Sequence, residues 1–303
     1  RKEMYTRFTI IYYLEYTRDI MVIMNGREVS KLRNEELRQK IDASVKKVGR
    51  APSLTVILVG DDPASHIYVN SKVRQASEVG INSTDIKLPE NTTSTELKAL
   101  IQKLNQDDNV DAILIQLPLP KHINEGEMLD LVDPEKDVDG FSVLNQGKLF
   151  QNRDSILSAT PKGIINLIDH YQIKLEGINA TVIGRSLIVG MPMAKLLLNR
   201  NATVTTCHRY TKNLIEHTKN ADLIVVATGQ KHLITKDMVK KGVIIIDVGI
   251  NREGNKIYGD VDFDNVKEVA SYITPVPGGV GPMTISALLE NVYEVFLKKF
   301  SKK

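Results

Sequence analysis

Hydrophobic positions in the first half of the chain form short apolar runs separated by segments with helical periodicity. Residues 54–60 are rich in β-branched side chains, as strands buried in a parallel sheet are, and residues 112–118 read as another buried strand. Between them, Asp62 can cap a helix and Pro63 can occupy its first position. The pattern therefore predicts a strand, a helix that runs to Glu78, and a further strand.

The second half of the chain repeats this alternation. Strands are predicted over residues 180–184, 202–207, 222–227 and 243–248, and helices from about Pro192 and over residues 214–219. Such alternation indicates right-handed βαβ units, and hence an α/β fold with parallel sheets. A final amphipathic helix is predicted from Ile285 to about residue 300.

Composition narrows the class of protein. The 303 residues suggest about two domains, and 42% hydrophobic and 25% charged residues are typical of a globular protein. The net charge of +3, from 40 basic and 37 acidic residues, is too even to favour nucleic-acid binding. The single cysteine, Cys207, excludes an intramolecular disulfide and suits a reducing compartment. The Cys and His residues also lack the spacing of a zinc site, so no metal is expected.

Residues 1–22 differ from the rest and are interpreted as a leader or upstream extension, with Met21 or Met24 as a natural start. Their apolar stretch, residues 8–14, is far shorter than the ~20 residues of a membrane span, so no membrane association is expected. A secretory signal is not indicated either. The expected location is the cytoplasm, with the mitochondrial matrix as the alternative.

Three side chains in the first half are candidates for catalysis. Tyr68 and Lys72 are four residues apart and share one face of the predicted helix, where a lysine near apolar walls can act as an acid or base. Gln116 ends the strand of residues 112–118, at the edge where parallel sheets bind ligands. Its amide can hydrogen-bond Lys72 without forming a salt bridge.

Asp139 lies in a tight loop and can accept paired N–H groups from a nitrogenous ring. Asp137 competes for this role, and turn capping is its alternative function. A second unusual segment, residues 273–284, contains three prolines and three glycines. This composition predicts a rigid wall against a flat ligand, with an interdomain connection as the alternative.

Gly184, Arg185 and Ser186 lie in a turn between a predicted strand and helix, where dinucleotide-binding folds place a pyrophosphate. The next strand ends in Cys-His-Arg209 rather than in the acidic residue typical of NAD sites. Arg185 and Arg209 can instead bind a 2′-phosphate, which favours NADP. NAD stays open, because Arg209 can equally be a solvated loop cation.

Together these motifs resemble the bifunctional methylenetetrahydrofolate dehydrogenase/methenyltetrahydrofolate cyclohydrolase family. The resemblance extends from about Asn25 to the C-terminus and rests on seven motifs in order: Tyr68-x-x-x-Lys72, Gln-Leu-Pro-Leu-Pro, Asp-Val-Asp-Gly-Phe, Thr160-Pro-Lys-Gly163, Gly-Arg-Ser, Asp247-Val-Gly-Ile-Asn251 and Pro-Val-Pro-Gly-Gly-Val-Gly-Pro-Met-Thr. It implies NADP-dependent oxidation of 5,10-methylenetetrahydrofolate, followed by hydrolysis to 10-formyltetrahydrofolate.

The resemblance also implies an architecture. A folate-binding αβα catalytic domain would span residues 23–157, with the C-terminal helix of residues 285–303 completing it. A Rossmann-type NADP-binding domain would span residues 158–284, and the active-site cleft would lie between the two domains. The family implies a homodimer formed through the nucleotide domain.

By the same resemblance, Lys72 is the central acid/base, Gln116 tunes it, Tyr68 positions the folate and Asp139 anchors the pterin ring. The remaining implied contacts are, for the substrate, Ile115, Leu117, Pro277, Gly278, Gly279, Val280 and Gly281, and, for the cofactor, Gly184, Arg185, Ser186, Arg209 and Ile250.

Three alternatives remain. A dehydrogenase without cyclohydrolase activity, NAD-dependent in one version, is the nearest of them. A nucleotide-sensing protein or a shikimate-type dehydrogenase would share the predicted fold. Neither would explain both the Asp139 loop and the proline- and glycine-rich segment.

Overall fold

The computed structural model describes residues 21–301 of the chain. Its first elements are β1 (Val22–Ile23), α1 (Gly26–Val48), β2 (Ser53–Val59), α2 (Pro63–Glu78), β3 (Asn82–Leu88), α3 (Ser94–Gln106), β4 (Ala112–Ile115), α4 (Glu125–Leu131), α5 (Val143–Phe150) and α6 (Ala159–His170). These are followed by β5 (Asn179–Ile183), α7 (Gly190–Asn199), β6 (Thr203–Cys207), α8 (Leu214–Lys219), β7 (Leu223–Val226), β8 (Ile244–Asp247), β9 (Asn251–Glu253), β10 (Lys256–Tyr258), α9 (Phe263–Val266), β11 (Tyr272–Ile273) and α10 (Val280–Ser301). A short 3₁₀ turn, Lys236–Met238, precedes β8.

The chain divides into two compact units. One comprises Arg27–Asn166 and the chain from Pro282 onward, and it contains a three-stranded parallel sheet in the order β3-β2-β4. The central strand β2 is buried along nearly its whole length. Leu54, Val56 and Leu58 pack in one core with Leu288 and Val292 of α10, so the C-terminal helix completes this unit.

Of the described residues, the other unit carries 21–26 and Leu167–Gly281. Its six-stranded sheet has the order β1-β11-β8-β7-β5-β6, and every neighbouring pair is parallel. The fully buried β7 lies at the centre and packs its Ile224 and Val226 against Ile183 and Ile245. The predicted α/β class with parallel sheets is confirmed.

The predicted start of the last helix is wrong. Helix α10 begins at Val280, five residues before Ile285, so Val280 and Gly281 belong to its first turn. Pro282 lies in that turn without the loss of a hydrogen bond, because the first N–H groups of a helix have no partner within it.

The borders of the two compact units differ from the predicted domain borders. The predicted domains are defined by the ligand that each binds, so their borders stay predictions. Within residues 21–301, no helix is both long enough and apolar enough to cross a membrane.

Candidate active site and nucleotide site

Helix α2 positions Tyr68 and Lys72 after the carboxyl end of β2. Its start is fixed locally, because Pro63 fills the first turn and Asp62 accepts hydrogen bonds from the amide and hydroxyl of Ser65 (2.8 and 2.7 Å). The helix covers the bounds that its cap and proline predict, Pro63 to Glu78. Both candidate residues therefore lie within its first three turns.

Lys72 and Gln116 are in direct contact. The Lys72 ammonium donates to the Gln116 side-chain oxygen at 3.0 Å, and Gln116 is 9% exposed. The Gln116 amide donates to the Leu117 carbonyl (2.7 Å), and its backbone N–H donates to Ile57 (2.9 Å). These bonds fix which atom of the amide faces Lys72. Lys72 thus has a neutral, oriented acceptor in the Gln116 side chain.

Burial shifts the pKa values of Lys72 and Asp139 towards each other. Burial lowers the pKa of Lys72, and the nearby Asp139 opposes that shift. Burial also raises the pKa of Asp139 to about 6, an effect that Lys72 opposes and Asp137 reinforces. A lysine whose charged form is disfavoured by burial releases its proton more readily, which suits an acid/base role.

The structure separates the two competing aspartates. Asp137 is 5% exposed and accepts hydrogen bonds from the amides of Gly140 (3.0 Å) and Ser142 (2.9 Å) and from the side chain of Asn145 (3.0 Å). Asp137 therefore holds the loop together. Among the described residues, none donates a hydrogen bond to the Asp139 carboxylate, which leaves it able to accept from a ligand.

Replacing Asp137 with Ala is expected to reduce the free energy of unfolding by about 3 kcal/mol, because buried donors lose a charged acceptor. The measurement is the urea midpoint of the variant against that of the original chain. The matched control is Asp133→Ala, which removes a carboxylate that accepts from Glu135 at an exposed turn (2.9 Å). Equal shifts for the two variants would contradict this account of the loop.

The proline- and glycine-rich segment forms a tight turn before α10. Gly278 has a φ of +107°, which favours glycine. A Cβ on Gly279 would lie 2.6 Å from the Pro275 carbonyl oxygen, and one on Gly26 would lie 1.8 Å from that of Gly279. Backbone therefore packs directly on backbone here, which gives the rigidity that the composition predicts. Pro277–Gly281 belongs to the unit with the six-stranded sheet.

A second turn, after β5, has the geometry expected for a pyrophosphate. Gly184 has a φ of +119°, and a Cβ there would lie 2.4 Å from the carbonyl oxygen of Ala227. A Cβ on Gly190 would lie 2.2 Å from the Gly184 oxygen. Helix α7 starts at Gly190, and the hydroxyl of the exposed Ser186 accepts hydrogen bonds from the amides of Val189 (3.2 Å) and Gly190 (3.4 Å). These residues fit a dinucleotide, whose phosphates bind backbone N–H groups at a helix N-terminus.

Two arginines flank one exposed tyrosine at this edge of the sheet. The guanidinium of Arg209 lies 4.7 Å from the centre of the Tyr210 ring and donates to its hydroxyl (2.6 Å), and that of Arg185 lies 5.9 Å from the same ring. Tyr210 was missed by sequence reasoning, although an exposed aromatic next to Arg209 is a detectable signal. The cluster provides two cations where a 2′-phosphate would need them.

A buried carboxylate network, which sequence reasoning also missed, holds the loops after β7 and β8. Asp260 is fully buried and accepts hydrogen bonds from the amides of Thr228 (2.7 Å) and Gly229 (3.0 Å). Asp247 accepts from the amides of Gly249 and Asp260, both at 2.9 Å. The network sets the loop that presents Ile250, which is 46% exposed.

Cys207 is buried at the end of β6, and burial raises the pKa of its thiol, so it is a poor nucleophile. In the part of the chain that the structure covers, no group of three His, Cys, Asp or Glu side chains could hold a metal ion.

Comparison with known proteins agrees with this geometry. The family model of the tetrahydrofolate dehydrogenase/cyclohydrolase catalytic domain matches residues 24–139, and that of its NAD(P)-binding domain matches residues 158–300. The bifunctional protein FolD of Nitratiruptor sp. is 53% identical over 271 residues, which are 89% of this chain and 96% of that protein.

Two solved structures extend the comparison. The bifunctional enzyme FolD from Campylobacter jejuni has a TM-score of 0.91 at 50% identity and covers 92% of this chain and 100% of its own. FolD from Trypanosoma brucei, in complex with NADP and an inhibitor, has a TM-score of 0.89 at 34% identity and covers 92% of this chain and 98% of its own. The chain belongs to the tetrahydrofolate dehydrogenase/cyclohydrolase family.

Proposed function

We propose that the protein is a bifunctional folate enzyme. It oxidises 5,10-methylenetetrahydrofolate with NADP and hydrolyses the resulting 5,10-methenyltetrahydrofolate to 10-formyltetrahydrofolate. The observation that carries this proposal is the contact between Lys72 and Gln116 at 3.0 Å, with Asp139 beside it. The FolD of Campylobacter jejuni, which is 50% identical, is a methylenetetrahydrofolate dehydrogenase/cyclohydrolase.

NADP, when bound, supplies the hydride acceptor of the first reaction. Gly184 and Ser186 would hold its pyrophosphate, and Arg185 with Arg209 would hold its 2′-phosphate. Ile250 would pack against its apolar surface. The trypanosomal FolD, whose structure contains NADP, supports this choice of cofactor.

The chain's own residues hold the folate and move protons. Asp139 accepts hydrogen bonds from the N–H groups of the pterin ring, and Tyr68 supports the adjoining ring by stacking. Ile115, Leu117 and the segment Pro277–Gly281 surround the folate. Such positioning supplies much of the rate, because the reacting atoms no longer have to find each other.

Lys72 carries the hydrolysis. Its neutral amine takes a proton from water as the water oxygen bonds to the methenyl carbon. It then returns that proton to N5 of the folate as the carbon–N5 bond breaks, and the hydroxyl proton leaves as the formyl group forms. Gln116 keeps the Lys72 nitrogen aimed at the reacting carbon without a fixed negative charge that would lock Lys72 in its charged form.

The test is a pair of assays on the purified protein. Reduction of NADP with 5,10-methylenetetrahydrofolate, and disappearance of added 5,10-methenyltetrahydrofolate, are both expected. Reduction without hydrolysis would favour the alternative of a monofunctional dehydrogenase. If the protein reduced neither NADP nor NAD, the proposal would be overturned.

Replacing Arg185 and Arg209 together with Gln is expected to lower kcat/KM for NADP by about 10- to 100-fold and to leave that for NAD within about threefold. The reason is that charge-assisted bonds to the 2′-phosphate are lost, and NAD lacks this phosphate. The measurement is steady-state kinetics with each cofactor, and Lys219→Gln on α8 is the matched control. Equal losses with NADP and NAD would contradict the assigned role.

We also propose that the protein acts in the cytoplasm as a homodimer. Residues 158–284 form the NADP-binding domain, through which the dimer is made. Residues 23–157 form the folate-binding catalytic domain. The buried, unpaired Cys207 fits a reducing compartment. The mass in solution, measured by light scattering, tests the dimer. A monomeric mass at assay concentration would contradict it.

A further inference from the structure

The sequence motif of residues 160–163 has no part in the site described above, and the structure places it against the C-terminal helix. Gly163 lets α6 lie close to α10, because a Cβ on Gly163 would be 2.6 Å from the carbonyl oxygen of Met283. The Thr284 hydroxyl donates to that of Thr160 at 3.1 Å. The motif therefore fixes the position of α6 on α10.

Lys162, within this motif, reaches a buried amide on α10. Its ammonium donates to the side-chain oxygen of Asn291 at 2.8 Å and also contacts Glu290 and Glu294 of the same helix. Asn291 is fully buried. Because an ammonium can only donate, this contact decides which end of the Asn291 amide is the oxygen. The amide nitrogen then points away from Lys162.

The Asn291 nitrogen holds two segments that meet at the candidate pterin-binding loop. It donates to the carbonyl oxygens of Val138 and Leu157, both at 2.8 Å. An amide nitrogen has two N–H groups, so both are used. Val138 directly precedes Asp139 in the chain. Asn291 therefore fixes the backbone one residue before the Asp139 carboxylate.

The backbone on the other side of Asp139 is held against the same segment. Gly140 has a φ of +67°, and a Cβ there would lie 2.6 Å from the carbonyl oxygen of Ile156. The Gln146 side chain donates to the Gly140 carbonyl (2.9 Å) and to the Ser158 hydroxyl (3.3 Å). The Asp139 backbone is therefore fixed on both sides, and Asn291 connects that arrangement to α10.

We propose that Asn291, oriented by Lys162, is a positioning residue for Asp139 and thereby for the pterin ring, an inference that rests on the function proposed above. Asp137 gives the loop its shape, whereas Asn291 attaches the loop to α10. A carboxylate accepts two N–H groups of one ring only when both of its oxygens lie at hydrogen-bonding distance and angle. A backbone shift at Val138 therefore weakens both bonds, and Asn291 acts on the substrate only through Asp139.

The test is the variant Asn291→Ser, made alone and together with Asp139→Asn. Serine leaves room for a water molecule that can donate to the two carbonyls, which favours retention of the fold. In the original chain, Asn291→Ser should raise KM for 5,10-methylenetetrahydrofolate by about tenfold, as expected for weakened bonds to a charged group, and change kcat by less than about twofold. In the Asp139→Asn background it should change KM by less than about twofold, because coupled residues are not additive.

A second variant approaches the same amide from its other end. Lys162→Met removes the donor that orients Asn291 but leaves both N–H groups of the amide in place. It should raise KM by about threefold, a smaller effect since the bonds to Val138 and Leu157 can still form. This increase should also disappear in the Asp139→Asn background. If Asn291→Ser does not fold, Lys162→Met decides the question.

The matched control is Leu97→Ala, which removes a fully buried side chain from α3. Leu97 packs with Ile101 in a different hydrophobic core from the one that contains Val138. The cavity should lower the urea midpoint, as large-to-small changes in a core do. Its KM should stay at the original value, which separates a loss of stability from a loss of positioning.

A measurement on the free protein needs no folate. The carboxyl of Asp139 is titrated by ¹³C NMR, and its signal is identified by its absence in Asp139→Asn. In the original chain burial raises the pKa of this group to about 6, with Lys72 opposing the shift and Asp137 reinforcing it. In Asn291→Ser the displaced loop admits water, so the pKa should move towards the ordinary value of ~3.9. Leu97→Ala should leave it unchanged.

Three results would overturn the proposal. The first is an unchanged KM in both Asn291→Ser and Lys162→Met, and the second is an equal rise of KM with and without the Asp139 carboxylate. The third is an unshifted titration of Asp139 in Asn291→Ser. Because the titration involves no turnover, it still tests the positioning role if the protein reduces no cofactor. The failure of this proposal is therefore distinguishable from the failure of the proposed function.

Discussion

Lys72→Gln is expected to lower the cyclohydrolase rate by about 10²- to 10⁴-fold, the range that a positioned general acid/base contributes. The dehydrogenase rate should fall by less than about tenfold, because hydride transfer does not need the Lys72 proton. Glutamine has a similar length and keeps a donor for the Gln116 oxygen, so it leaves the site's packing largely unchanged. The two activities are measured separately, by NADP reduction and by loss of added 5,10-methenyltetrahydrofolate.

The matched control for this variant is Lys103→Gln, an exposed lysine of helix α3. It should change neither activity. Equal losses of both activities in Lys72→Gln would mean that Lys72 positions the folate rather than transferring a proton. Full retention of the cyclohydrolase rate would remove Lys72 from the mechanism altogether.

Asp139→Asn is expected to raise KM for 5,10-methylenetetrahydrofolate by about 100-fold. An amide cannot accept two N–H donors in the way that a carboxylate can, and charge-assisted bonds are about twice as strong as neutral ones. Both activities should suffer, because both begin with the bound pterin ring. This pattern separates Asp139 from Lys72, whose replacement affects one activity.

The same substitution should stabilise the folded protein at neutral pH. The pKa of Asp139 is raised to about 6, whereas an aspartate in an unfolded chain titrates near ~3.9. Between these two values the folded state binds more protons than the unfolded state, so stability falls as the pH rises through this window. Above about pH 6 the cost is fully present, at roughly 3 kcal/mol, and asparagine removes it.

Urea unfolding at several pH values measures this effect. Asp139→Asn should have the higher midpoint at pH 7.5, and the difference should vanish at about pH 3, where the carboxyl is protonated in both states. The exposed Asp42→Asn on helix α1 is the control and should show no such trend. A midpoint difference that stays constant with pH would contradict the assigned burial of Asp139.

Loss of the Asp139 charge has a further consequence for Lys72. The carboxylate opposes the downward shift that burial causes in the lysine pKa. Without it, the pKa of Lys72 should fall further, and the pH at which its amine becomes neutral should fall too. The pH profile of the cyclohydrolase rate in Asp139→Asn, measured at saturating folate, should therefore rise at lower pH than in the original chain.

Several features of the fold could be predicted from the sequence because their causes are local. Helix α2 has the predicted end points, since Asp62 and Pro63 define its start within the same few residues. The strands β2 and β5 to β8 lie within about two residues of the predicted runs. Buried parallel strands need apolar side chains on both faces, which makes them visible in the sequence.

Other elements have no such local signal. Strand β3 is largely exposed, so its side chains do not form an apolar run. Strands β1 and β11 have two residues each. They form because each pairs with a strand that is distant in sequence. The early start of α10 was missed because Pro282 suggests a helix boundary when only the sequence is considered.

The candidate site likewise has some features that follow from the sequence and others that follow only from the tertiary structure. The sequence by itself determined the family motifs and the residue types, because the chemistry requires particular side chains and each motif is contiguous in the chain. It also placed Lys72 and Gln116 near one sheet edge, through the rule that carboxyl ends of parallel strands meet there. Only the tertiary structure decided between Asp137 and Asp139, since the choice depends on which carboxylate meets the loop's own N–H groups.

The tertiary structure alone also brought Arg185 to the ring of Tyr210, which Arg209 contacts as well. The physical reason is common to all these cases. A cap, a turn or a buried strand depends on neighbours in sequence, whereas a partner for a charge depends on which distant segments the packed sheets and helices bring into contact.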